Sequence, residues 1–194
     1  LDLSSLKPSL NGKLIVIMGL GTSGIATYKA CKAAGIETVI WDGNKEALEK
    51  LKAEGARVEN LSERDFSDIA LLCLSPGIPF THPTPDPVVI KAQNAGIEVI
   101  SDIELLYRSN PNAKFVGITG SNGKSTTTSL IGHIIKEAGL KVEIGGNIGN
   151  AALSLEHLKP SEIYVLELSS YQLDLCKHAP NISAFINISP DHLD

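Results

Sequence analysis

Residues 119–126 read Thr-Gly-Ser-Asn-Gly-Lys-Ser-Thr, directly after the apolar run Lys114-Phe-Val-Gly-Ile118 and before Thr127-Thr-Ser-Leu-Ile-Gly-His-Ile-Ile135. This order of buried strand, glycine-rich turn with Lys-Ser, and helix constrains the fold more than any other feature of the chain. It requires a parallel strand–turn–helix unit whose backbone N–H groups converge where the helix dipole favours an anion. Lys124 is placed to reach the terminal phosphates of a nucleotide, and the Ser125 hydroxyl to ligate Mg²⁺. The spacing is a variant. The common form has a glycine five positions before the last one, and that position is Ile118; the glycines fall at Gly117, Gly120 and Gly123.

The rest of the chain repeats the alternation of strand and helix. Leu14-Ile-Val-Ile-Met18 is a continuous apolar run, the pattern of a strand covered on both faces. Gly19-Leu-Gly-Thr-Ser-Gly24 follows it, then a helix predicted from Ile25 to about Ala34 and stopped by Gly35. Thr38–Trp41, Ile69–Leu74 and Ile97–Ile100 read as further strands, with helices over Lys45–Ala53 and Val88–Ala95 between them. Residues 79–87 hold four prolines and read as loop. Asp102 is the expected N-cap of a helix over Ile103–Tyr107. Strands are expected at Val142–Ile144, Ile163–Leu168 and Ile182–Ile188. The fold class is therefore α/β. A Rossmann-like domain is expected over residues 1–102, and the first part of a phosphate-loop ATPase-type domain over 103–194.

Composition removes several function classes. A net charge of −5 without a basic run, and only 5% aromatic residues, argue against nucleic-acid or anionic-membrane partners. No apolar stretch approaches the ~20 residues of a membrane span. Cys31, Cys73 and Cys176 lack metal-type spacing and lie in apolar segments, as buried free thiols do. With no secretory signal, a reducing, cytoplasmic setting is expected.

Five further features carry candidate chemistry. Gly19-x-Gly21-x-x-Gly24 fits the dinucleotide fingerprint, with Asp42 at the right distance to meet a ribose hydroxyl. At this level NAD(P) and a UDP-sugar look alike, and a plain tight turn has the same pattern. Ser75-Pro76-Gly77-Ile78 lies at a strand's carboxyl end, where open α/β sheets bind ligands. Glu167 sits in an otherwise apolar strand and needs a partner or a metal to offset its desolvation. His192, beside Asp191, follows the last strand on a carboxyl-end loop, where a hard metal or a phosphate is a possible contact; a lone His near a chain end is more often incidental. Gly145-Gly-Asn-Ile-Gly149 suits close approach to a polar ligand, or simply a turn that needs positive φ. His82, His133, His157 and His178 show no partner pattern.

Taken together, Thr-Gly-Ser-Asn-Gly-Lys-Ser-Thr, Gly-Asn-Ile-Gly, Glu-Leu-Ser-Ser-Tyr-Gln-Leu and Asp-His-Leu-Asp resemble the Mur ligases, ATP-dependent amide-forming enzymes of peptidoglycan synthesis. Gly-Leu-Gly-x-Ser-Gly and Leu-Ser-Pro-Gly-Ile look most like the D-glutamate-adding branch. The resemblance implies UDP-N-acetylmuramoyl-L-alanine, D-glutamate and ATP as substrates, two Mg²⁺ ions in the complete enzyme, and a monomer. It implies that Gly21, Thr22 and Ser23 contact the diphosphate, that Asp42 and Gly43 lie by the uracil, and that Ser75, Pro76, Gly77 and Ile78 flank the same ligand. It further implies that Gly120, Ser121, Asn122, Gly123, Lys124, Ser125 and Thr126 hold ATP, with Lys124, Glu167 and His192 catalytic. Ser125 and Glu167 would ligate one Mg²⁺, and His192 would serve the second. Asn147, Ser169, Gln172 and His192 would face the muramoyl-alanine end. Family members carry a carbamylated lysine and an amino-acid-binding domain beyond the Asp-His motif. This chain begins without Met and stops at Asp194, so it is expected to be a fragment without turnover of its own. A sibling ligase or a folylpolyglutamate-type synthetase is the nearest alternative. A nucleotide-binding regulatory module or an NAD-dependent oxidoreductase comes from a different class.

Overall fold

A computed structural model describes residues 1–189. After a 3-10 turn at Ser4–Leu6 and a short helix α1 (Lys7–Leu10), β1 (Leu14–Met18), β2 (Thr38–Trp41), β3 (Ile69–Leu74) and β4 (Glu98–Ile100) form a parallel sheet in the order β2-β1-β3-β4. Helices α2 (Thr22–Ala33), α3 (Lys45–Ala53) and α4 (Pro87–Asn94) connect them. The apolar run of β1 is covered on both faces, as its sequence requires. Ile15 and Ile17 enter one core with α2, while Leu14, Val16 and Met18 enter another with Val88, Val89 and Ala92 of α4.

Helix α5 (Asp102–Ser109) leads into a second parallel sheet. It consists of β5 (Lys114–Thr119), β6 (Val142–Gly146), β7 (Ile163–Glu167) and β8 (Ile182–Phe185) in the order β6-β7-β5-β8. Helix α6 (Lys124–Glu137) covers one face, where Val116, Ile118 and Val165 meet Ile131 and Ile135. The opposite face presents Phe115, Tyr164 and Leu166 to the same apolar cluster that buries Ile103, Leu105 and Leu106 of α5. The segment from Ala151 to Leu158 joins this cluster through a 3-10 turn, Ala152–Ser154, packed on α2 and α5. The two sheets therefore share one core.

A polar network reinforces that junction. The Glu104 side chain is fully buried. It accepts from Arg108 Nε (2.7 Å) and from the backbone N–H groups of Lys177 (2.9 Å) and His178 (3.1 Å), and His178 Nδ1 lies 2.8 Å away. The Arg108 fork reaches back to Glu98 on β4 at 2.9 and 2.6 Å. Glu104 thus ties the end of the first sheet to the segment after α7 (Ser170–Asp174). His178, read from sequence as unpartnered, is one of its partners.

Several boundaries differ from those expected. Helix α2 begins at Thr22 and α6 at Lys124, each earlier than its apolar periodicity suggests, because the first turns are polar, Thr22 and Ser23 in α2 and Lys124 to Thr126 in α6. The α5 N-cap is Ser101, whose Oγ accepts from Glu104 N; Asp102 is the first helical residue and is buried. The last strand ends at Phe185, short of Ile188. Helix α7 and both 3-10 turns were not foreseen. All three cysteines are free, as expected; Cys31 and Cys73 are buried, whereas Cys176 is only half-buried, and no described helix is long and apolar enough to cross a membrane.

The Glu104 network makes stability pH-dependent. Burial alone would raise the Glu104 pKa, but Arg108, the Lys177 and His178 N–H groups and the His178 ring outweigh it and hold the carboxyl below its ordinary range. A depressed carboxylate pKa contributes stability that is present above the unfolded-state value and lost as pH falls through the folded one. Glu104→Gln is expected to cost about 3 kcal/mol at pH 7. Urea denaturation should show that difference shrinking below about pH 4.

Candidate functional site

The carboxyl ends of both sheets face one cavity of about 470 Å³, within the range of small-molecule sites. Its first wall is the turn from β1 into α2, Gly19 to Ser23. Its second is Asp42 at the end of β2, and its third is Ser75 to Ile78 after β3. Gly146 to Gly149 and Ala151, from the second sheet, close it.

Each glycine of the first turn has its own reason. Gly19 has φ +94°, and a Cβ there would lie 2.7 Å from Ser75 Cβ. A Cβ on Gly24 would meet Gly19 O at 1.8 Å. Gly21 faces open space, and the α2 N-terminus beside it has no side-chain cap. The first and third glycines serve backbone packing, and the second leaves room for a ligand at an uncapped helix end. Ser75 Oγ donates to Gly19 O at 2.9 Å, and its N–H to Met18 O at 2.9 Å, so the β3 end holds the turn. Asp42 does the same from β2. One carboxylate oxygen accepts from Leu20 N and the other from Asn44 N at 2.6 Å. Asp42 lines the cavity and stiffens its floor. Gly43 is not part of the cavity wall.

The second constellation lies at the ends of β5, β6 and β7. The turn after β5 enters α6 through Gly123 at φ +84°, again with no side-chain cap. Lys124 Nζ donates to Gly120 O (2.6 Å) and Ser121 O (2.9 Å), which closes the loop on itself. Asn187, just past β8, grips the same loop. Ser121 N and Asn122 N donate to its carbonyl and its side-chain oxygen (3.1 and 3.0 Å), and its Nδ2 donates to Asn122 O (2.9 Å). The irregular glycine spacing follows from these contacts. A Cβ on Gly117 would lie 2.6 Å from the Pro180 ring, and one on Gly120, at φ +143°, would press on the Asn187 backbone at 3.0 Å. The sequence reading missed Asn187, although a lone amide in an apolar strand-like run is the same kind of signal that singled out Glu167.

Glu167 closes β7 and is buried, 3% exposed. Its two oxygens are shared: Ser125 Oγ donates to Oε2 at 2.7 Å, and Asn147 Nδ2 to Oε1 at 3.0 Å. Asn147 is itself part of the cavity wall. It is held there by the turn at Gly146, with φ +98°, and by its own N–H donating to Glu167 O at 2.9 Å. A continuous hydrogen-bonded path thus runs from the cavity through Asn147 and Glu167 to Ser125 of the phosphate loop. Ser169 and Gln172 take a different place. They form the capping box of α7, and Gln172 Nε2 donates across to Asp102 Oδ1 at 3.3 Å. Neither is on the cavity wall. His192 lies outside the described residues.

Comparison with known proteins fits this arrangement. The Mur ligase MurD-like N-terminal domain matches residues 13–101, and the Mur ligase middle domain residues 118–194. The chain belongs to the Mur ligases. It is 47% identical, over 94% of its length, to a UDP-N-acetylmuramoylalanine--D-glutamate ligase of Caulobacter sp. (strain K31), and 46% identical over 96% to that of Rhizobium etli. It spans only 40% and 41% of those proteins. A solved UDP-N-acetylmuramate:L-alanyl-gamma-D-glutamyl-meso-diaminopimelate ligase from Neisseria meningitides shares the fold at TM-score 0.58 and 21% identity. That match covers 94% of this chain and 62% of the other.

The two kinds of glycine in this Mur ligase separate in a stability measurement. Gly146→Ala combines a positive φ with a Cβ 2.4 Å from Glu167 O, and is expected to lose roughly 3 kcal/mol in chemical denaturation. Gly21→Ala, in open space, should stay within about 0.5 kcal/mol of wild type.

Proposed function

We propose that this Mur ligase chain carries the UDP-substrate site and part of the ATP site of an enzyme that adds D-glutamate to UDP-N-acetylmuramoyl-L-alanine. The observation that carries the reading is the path Asn147–Glu167–Ser125, which connects a nucleotide-sized cavity to a phosphate loop. Residues 1–102 would be the UDP-substrate domain and 103–194 the start of the ATP domain. The Gly146–Gly149 turn of the second would complete the site of the first.

In this reading the substrate diphosphate lies at the uncapped N-terminus of α2, against Gly21, Thr22 and Ser23. The uridine lies toward Asp42 and Ser75–Ile78, and the muramoyl-alanine end toward Asn147. Gly120 to Thr126 would hold the ATP phosphates. Lys124 would exchange the loop carbonyls it now binds for the terminal phosphate, and Asn122 and Ser121 would stay fixed by Asn187.

Ser125 Oγ and Glu167 Oε2 fit Mg²⁺: they are adjacent hard oxygen donors, the Glu167 carboxyl buried and Ser125 open to solvent. No group of three or more His, Cys, Asp or Glu occurs among the described residues, so phosphate oxygens and water would fill the other positions, as is usual for this ion. Bound there, Mg²⁺ supplies positive charge against the phosphates. His192 is the proposed ligand of a second ion.

The chemistry is phosphoryl transfer followed by acyl transfer. The alanine carboxylate attacks the terminal phosphorus of ATP, and ADP leaves. The D-glutamate amine then attacks the acyl phosphate, and the tetrahedral intermediate collapses to amide and inorganic phosphate. Both partners of the first step are anions, so Lys124 acts by neutralising charge as they approach. An oxidoreductase would have no use for the Ser125–Glu167 pair.

Calorimetry on this chain should show binding of UDP-N-acetylmuramoyl-L-alanine. Gly21→Val should weaken it at least about tenfold with little change in melting temperature, because the added side chain occupies ligand space. With the ligase at the full length of its relatives, phosphate release should depend on D-glutamate in preference to other amino acids. Lys124→Ala should reduce kcat by about a hundredfold or more. Unchanged affinity in Gly21→Val, or preference for another amino acid, would sink the assignment.

A further inference from the structure

The loop that would hold the ATP phosphates is fastened from outside by a residue that takes no part in the chemistry above. Asn187 lies two residues past the end of β8 and holds three polar groups of the loop backbone. Its carbonyl accepts from Ser121 N at 3.1 Å, its Oδ1 accepts from Asn122 N at 3.0 Å, and its Nδ2 donates to Asn122 O at 2.9 Å. Ser189 adds a reciprocal pair with the Ser121 hydroxyl, which accepts from Ser189 N at 2.9 Å and donates to Ser189 O at 3.0 Å.

These contacts decide which way each peptide faces, because the N–H and C=O of a trans peptide point in opposite directions. In the first two peptides the N–H groups, those of Ser121 and Asn122, are turned toward Asn187. Their carbonyls, Gly120 O and Ser121 O, are turned the other way, where Lys124 Nζ meets them at 2.6 and 2.9 Å. In the third peptide the sense reverses. Asn122 O is drawn to Asn187 Nδ2, so the Gly123 N–H is turned to the side of Lys124. Gly123, at φ +84°, is the N-cap residue of α6 and makes no side-chain cap. Its carbonyl accepts from Thr127 N at 3.0 Å, so the N–H groups of Gly123 to Thr126 come before the first helical bond and have no helical acceptor. A left-handed residue followed by right-handed ones gathers successive N–H groups into one concavity, the geometry of an anion nest.

We propose that Asn187 is a positioning residue for the nucleotide: it diverts the Ser121 and Asn122 N–H groups from the phosphates and aims the Gly123 N–H at them, so that the cradle runs from Gly123 to Thr126. The inference rests on the reading of this loop as the ATP site. The role needs an acceptor and a donor side by side, one for each peptide that adjoins Asn122, and a side-chain amide supplies both. Asn187 is exposed, so replacing it leaves no buried polar atom unpaired and the fold should persist.

The test titrates Mg-ATP into the whole chain by calorimetry and by amide NMR, with UDP-N-acetylmuramoyl-L-alanine titrated in parallel and thermal melting as the control for folding. In the wild type the Gly123 amide should shift downfield and show coupling to phosphorus across the hydrogen bond, while the Ser121 and Asn122 amides keep their positions. Asn187→Leu, of similar shape, removes both side-chain bonds and should bind Mg-ATP about tenfold more weakly. Its affinity for the UDP-substrate, whose proposed site is the separate cavity, should stay within about twofold of wild type. Ser189→Ala keeps the backbone pair to Ser121 and should bind Mg-ATP within about twofold of wild type. Phosphorus coupling at the Ser121 or Asn122 amide, undiminished Mg-ATP affinity in Asn187→Leu, or an equal loss of both ligands would overturn the assignment. Failure of the wild type to bind Mg-ATP would overturn the ATP reading itself, and the role of Asn187 with it.

Discussion

The Glu167 carboxylate is the point on which the two halves of the site depend. A buried carboxylate without donors is expensive, and this one is at the end of a strand whose other residues are apolar. Ser125 and Asn147 each supply one donor to it. To do so, β5 must deliver the phosphate loop to one side and β6 must turn sharply at Gly146 on the other. The central position of β7, between β6 and β5, makes both contacts possible. A shift of register in either neighbour would leave the carboxylate unpaired, so the same group that suits a cation also fixes the sheet that would hold it.

The other fixed point is the junction between the sheets. Open α/β sheets bind ligands at their carboxyl ends, but here one sheet's cavity is closed by a turn of the other. That arrangement needs a rigid relation between the two. Helix α5 supplies it with an apolar face in the shared core and with two buried carboxyl groups, Glu104 ionised and Asp102 reaching Gln172. The polar contacts are individually modest. They are directional where the apolar core is not, and they select one orientation among those the core would tolerate.

Much of the site was legible because its motifs are local. Strand, turn and helix are contiguous in residues 114–137, and in the turn at Gly19 the roles of the three glycines follow from backbone geometry. The Glu167 anomaly was visible as a charge in an apolar run. Ser169 and Gln172 were not legible in the same way. Their spacing fits both a substrate contact and a capping box; the structure shows the capping box, and Gln172 also reaches Asp102, 70 residues away in sequence. Asn187 escaped notice because its partners, Ser121 and Asn122, are equally remote.

The sequence alone determined the parallel α/β fold, both phosphate-type turns, the Mur ligase family and most of the polar residues around the cavity. Each of these is encoded by neighbours a few residues apart, where periodicity and turn chemistry act. The tertiary structure decided which motifs face each other. It brought Asn147 from the second sheet to the first sheet's cavity, gave Glu167 its two partners and buried Asp102 against Gln172. These pairings arise from sheet order and from the burial of a shared core, and no local pattern in the chain records them.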